Sequence, residues 1–160
     1  MKLKYPILLY AILIMGAHIQ AQEKTVADTT FLGVSKTAIR VSTYGLYFGA
    51  MAMNTLAADA YDTTRTEDIK GVVRQSLEYF HQTKNYLDAL KAMLENHGME
   101  ADVKRVDRIR NGFELLEREA NLIIKYIDAR TNSAKKECVS TYAKYNTSMM
   151  DLLEQLLRAR

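Results

Sequence analysis

Glu78 and His81 stand three residues apart. Four-helix bundles use that spacing to bring a carboxylate and an imidazole to one metal ion. Such a centre needs both side chains inside the bundle and a second Glu-x-x-His on another helix. The chain has no second copy of the motif. The apolar residues around it, Ile69, Phe80 and Leu90, put Glu78 and His81 on the polar side of their helix. Glu114, Glu117 and Glu119 form another grouping. Neighbouring carboxylates do acid–base chemistry where a pocket separates their pKa values. These three interleave with Phe113, Leu115 and Leu116, which reads as the outer, solvated face of an amphipathic helix. His97 adjoins Gly98 and reads as a hydrogen-bonding group at a helix end.

No nucleophile elbow, phosphate-binding glycine loop or zinc-ligand spacing is present. There is no Cys-x-x-Cys-His for covalent haem, and beyond the N-terminal segment the histidines are His81 and His97 alone. Tyr79, Tyr86, Tyr142 and Tyr145 fall at or beside apolar positions, where tyrosine packs its ring and sends its hydroxyl outward. Lys104, Arg105, Arg108 and Arg110 make a basic run that Asp102 and Asp107 interrupt, and they spread around a helix as a solvated face. Cys138 falls on an apolar stripe and reads as a buried, inert thiol. The expectation is a chain with no catalytic residues, no metal and no cofactor, and hence not an enzyme.

The elements that carry these residues are long helices. The single proline is Pro6, so 154 consecutive residues contain none. A first helix is expected from about residue 30 to 59, with a stripe at Val34, Ala38, Val41, Gly45, Phe48 and Ala52. Thr64-x-x-Glu67 matches a capping box and starts the second helix. Its stripe runs Ile69, Val72, Val73, Leu77, Phe80, Tyr86, Leu87, Leu90, Met93 and Leu94, and Gly98 ends it. The third helix carries Val103, Val106, Ile109, Phe113, Leu116, Ala120, Ile123 and Ile127. After Thr131-Asn132-Ser133 the fourth carries Cys138, Tyr142, Tyr145, Met149, Leu152 and Leu156. Short links between long helices give an all-α, antiparallel, up-down-up-down four-helix bundle.

The first 21 residues have the layout of a secretory signal. Met1 to Lys4 is basic, Tyr5 to Ala17 is apolar and uncharged, and Ala21 offers a small residue for cleavage. The expected organisation is a signal peptide over 1–21 and a bundle domain over 22–160, in the periplasm or outside the cell. Two of the 22 basic residues and none of the 19 acids lie in the signal, leaving 20 against 19. A balance so near neutrality gives no electrostatic footprint for nucleic acid. One cysteine allows no internal disulfide, so the fold rests on packing.

The first helix is unlike the others. Residues 41–58 carry no charge, and Leu32, Ile39, Leu46 and Met53 form a second seam spaced by sevens. Gly45-x-x-x-Gly49 adds a smooth patch where another backbone can come close. Two apolar faces require burial on two sides. The second cover is the rest of the bundle, a protein partner or second copy, or a membrane. Ser42, Thr43, Asn54 and Thr55 dilute the apolarity that a membrane needs. The candidate interaction residues are therefore Leu32, Ile39, Gly45, Leu46, Gly49 and Met53.

The stretches QTKNYLDALKAM, residues 82–93, and ECVSTYAKYNTSMMDLLEQL, residues 137–156, are similar to exported helical conjugation proteins, over a minority of the chain. That resemblance implies, as one alternative, a helical component of a bacterial conjugation or type IV secretion apparatus. The leading expectation is an exported, non-enzymatic helical bundle acting in protein–protein interaction or envelope assembly. A small membrane-associated subunit using residues 41–58 is the other alternative.

Overall fold

A computed structural model describes residues 31–62 and 66–158. The signal sequence expected over 1–21, the capping residue Thr64 and the side chain of Leu32 lie outside the described residues. Four helices account for nearly all of the rest: α1 Phe31–Asp62, α2 Thr66–Asn96, α3 Glu100–Asp128 and α4 Asn132–Arg158. They form the expected four-helix bundle. Lengths of 27 to 32 residues make each about 40–48 Å long at 1.5 Å per residue.

The connections are short because their residues end and restart helices locally. Gly98 takes φ 66°, the left-handed conformation that closes α2. The Gly98 and Met99 amides then donate back to Glu95 O and Leu94 O at 3.0 Å. Thr131 Oγ1 accepts the Ala134 amide at 3.2 Å and caps α4.

Ion pairs fix the register of α2 against α3. Lys70 meets Asp128, Lys84 meets Glu117, Asp88 meets Arg110 and Lys91 meets Asp107. As one member advances along α2 its partner retreats along α3, so the two run antiparallel. Between α3 and α4 the same sense is set by the Arg118 guanidinium over the Tyr145 ring and Lys135 over Tyr126.

The cross-section is a rhombus. α1 and α3 are parallel and diagonal, yet they pack directly, while among the described residues no Cα of α2 comes within 8 Å of one of α4. Glycine permits the short diagonal. A methyl group at Gly49 would lie 2.7 Å from Leu116 Cδ1, and one at Gly112 would collide with both Leu46 methyls. The core along this diagonal is Leu46, Met53, Leu56, Ile109, Phe113, Leu116 and Ile123, all at most 1% exposed.

The apolar stripes of α2, α3 and α4 largely point inward as the periodicity requires, although Met93 is exposed. In α1 the seam spaced by sevens faces inward at its described positions, while the Val34-to-Ala52 stripe divides, with Gly45 and Ala52 buried. Ile39, Leu46 and Met53, the seam spaced by sevens, fill the bundle's own core. Val34 and Phe48, assigned to the core-facing stripe, are exposed instead. Leu46 of the sevenfold seam packs over Gly112 of α3, where the missing side chain leaves room for it.

Candidate functional site

The candidate interaction residues of α1 are brought together, but inside the molecule. Ile39, Gly45, Leu46, Gly49 and Met53 are all buried against α2 and α3 or the core between them. The polar residues that diluted this helix are partly buried too. Thr43 lies within the bundle and satisfies its hydroxyl on Ile39 O at 2.8 Å.

The opposite side of α1 is open. Val41, Tyr44, Phe48, Met51, Thr55 and Ala58 recur in alternating steps of three and four along it, the first two half-buried and the other four exposed. Phe48 and Met51 are each 49% exposed at its centre, and Tyr47 packs edge-on against Phe48 with ring centroids 5.6 Å apart. Arg40 closes one end, with its guanidinium 6.0 Å from the Tyr44 ring centroid. The result is an aromatic and methionine surface without a charged side chain over 18 residues. No described helix is long and apolar enough to cross a membrane.

The acids of α3 separate into two environments. Glu114 is tied to Arg110, and Glu117 accepts from Lys84 of α2 at 2.6 Å. Glu119 departs from the solvated face expected of it. It is fully buried, and neither carboxyl oxygen has a hydrogen-bond partner. Burial pushes its pKa up to about 8, so the carboxyl is mostly neutral at pH 7. Tyr61 of α1 and Tyr142 of α4 are electrostatic neighbours. Burial first, then Tyr126, Cys138 and Glu119, pushes the Tyr61 phenol up to about 12. Burial likewise raises Tyr142 above the usual phenol range, with Glu119 and Tyr61 adding to it.

Glu119 was hidden because α3, packed by all three other helices, buries more than one stripe. Arg105, Gly112, Glu119 and Tyr126 follow one another by sevens beside the apolar row. The glycine in that second row is the signal that could have marked it as inward.

Other groupings carry less. Glu78 and His81 are exposed on α2, and Glu78 Oε1 accepts from Gln82 at 2.9 Å. No three His, Cys, Asp or Glu side chains converge as metal ligands among the described residues. His97 Nδ1 lies 2.8 Å from Met93 O, a helix-end contact. The basic run is not simply solvated. Arg110 Nε donates to Asp88 at 2.6 Å, and Arg105 reaches Leu156 O of α4 at 3.5 Å. Cys138 is half-buried rather than buried, in an open groove of about 740 Å³ between α3 and α4. No protein-family model, curated protein or solved structure matches this chain.

Proposed function

We propose that this chain is a non-enzymatic helical bundle that acts by protein–protein contact, as an exported interaction or envelope-assembly component, and that it docks through the outer face of α1. The observation that carries this reading is the exposed group Tyr47, Phe48 and Met51 at the centre of an uncharged arc. Interface cores are enriched in aromatics and methionine and depleted in charge, as this arc is. The outer face of α2 is the contrast, with exposed Arg74, Glu78 and Asp88. A photoreactive residue at Phe48 or Met51 should form specific adducts in native cells, whereas one at Gln75 or Gln82 should not. Equal labelling from both helices, or none from α1, overturns the reading.

The lysine start, the apolar run and Ala21 support export. Mass spectrometry of protein from its native cells should find an N-terminus at or near Gln22. A cytoplasmic protein still beginning at Met1 overturns that part.

A further inference from the structure

We infer that the partner fitted to α1 is a second copy of this chain, bound antiparallel about a two-fold axis that passes α1 between Gly49 and Ala50. The inference rests on the docking reading above and names its occupant. The open seam at Val41, Tyr44, Phe48, Met51, Thr55 and Ala58 has the three–four spacing along which one helix follows another. Turned end for end about its midpoint, the seam falls on itself. Val41 then meets Ala58 of the second copy, Tyr44 meets Thr55, and Phe48 meets Met51. The two outer layers set a larger side chain against a smaller one. The central layer sets a rigid ring against the pliable methionine thioether, a favourable pairing. Every seam of this spacing maps onto itself, so the pairing is selected by the match of side chains in each layer and by the charges at the two ends.

Charge sets the direction. Lys36 and Arg40 stand at the N-terminal end of the seam, Asp59 at the C-terminal end, and nothing charged lies between. Antiparallel pairing lays the basic end of each copy along the acidic end of the other. Parallel pairing stacks like charges at both ends. The helix dipoles favour the same antiparallel sense. Asp59 also interacts within its own chain, and a carboxylate has acceptor sites for more than one donor.

Light scattering on the purified chain should show a monomer–dimer equilibrium that weakens as salt rises. Phe48→Lys should leave the melting temperature in place and give only monomer. Lys36→Glu with Arg40→Glu should weaken the dimer about tenfold or more. Adding Asp59→Lys should restore much of it, because both ends are then reversed together. A measurement that needs no charge reversal fixes the register. With isotopically light and heavy chains mixed, a photoreactive group at Phe48 should join peptides of different mass at Met51. A chain monomeric at every concentration, or mixed-isotope links that join Phe48 to α2, α3 or α4, overturns the self-pairing. If the chain is monomeric while Phe48 labels a different protein in native cells, the self-pairing falls and the docking reading stands. If Phe48 labels nothing, both fall.

Discussion

Tyr142 donates its hydroxyl hydrogen to Asn54 Oδ1 at 3.0 Å, fastening α4 to α1 beside Glu119. The two ends of this bond differ in exposure. Tyr142 is buried, whereas Asn54 is half-buried and can be reached by water. Removing the donor therefore costs less than removing the acceptor, since a buried hydroxyl left alone loses about 1–3 kcal/mol. Tyr142→Phe should lower stability by about 1 kcal/mol in urea unfolding, and Asn54→Ala by more. A larger loss from Tyr142→Phe contradicts the assignment of which end is dry.

Glu119 makes the bundle sensitive to pH in an unusual direction. Its folded pKa of about 8 lies above the ordinary 4.5, so the folded chain holds a proton that the unfolded chain releases. Its contribution is fully present below about pH 4.5 and falls as pH rises towards 8, by up to roughly 1.4 kcal/mol per pH unit. Above pH 8 the loss is complete and the dependence flattens. Glu119→Gln keeps a neutral side chain of similar shape. Its urea midpoint should be higher than that of the parent at pH 8 and nearly equal at pH 4.5. Parallel pH profiles for the two proteins would sink the idea.

Three glycines give opposite predictions for an added side chain. Gly71 is exposed with nothing near its Cα hydrogen, so Gly71→Ala should gain about 0.5–1 kcal/mol from helix propensity. At Gly112 the added methyl collides with Leu46, lying 2.8 Å from Cδ1, and sits 3.1 Å from Leu152 Cδ2. Overpacking of about 1–3 kcal/mol then outweighs the propensity gain, and Gly112→Ala should melt lower. Gly49→Leu should lower the melting temperature further, since Leu116 and Phe80 already fill its space. A thermal melt of the three variants decides it: a rise at Gly112 equal to that at Gly71 refutes the close α1–α3 diagonal.

The bundle was legible because α2 and α4 each have one wet and one dry side, and α3 carries one clear apolar row. Ile69, Val73, Phe80, Leu87 and Leu94 on α2 repeat at a period that solvent enforces. Periodicity fails where a helix lies on the diagonal, because burial there wraps around more of the circumference. α1 offered two seams, and only the packing of α3 decides that Leu46 and Met53 go in while Phe48 stays out. Glu119 is the same failure seen on α3. Residue type argued for solvent, and position argued for the core, and position prevailed. A carboxyl can be buried there because it gives up its charge, which no spacing in the sequence announces.

The separation of the α2 and α4 backbones has a thermodynamic consequence. Leu87 and Leu153 lie at similar heights on these two helices, each buried, with the α1–α3 pair between them. Truncations at the two sites should therefore be additive. The double variant Leu87→Ala, Leu153→Ala should lose the sum of the single losses to within about 0.3–0.5 kcal/mol. Leu46 and Gly112, which face each other across the diagonal, should instead show a large non-additive term: Leu46→Ala should absorb much of the damage done by Gly112→Ala. Measured as double-mutant cycles, the bundle divides into a coupled central pair and two outer helices that are energetically blind to one another.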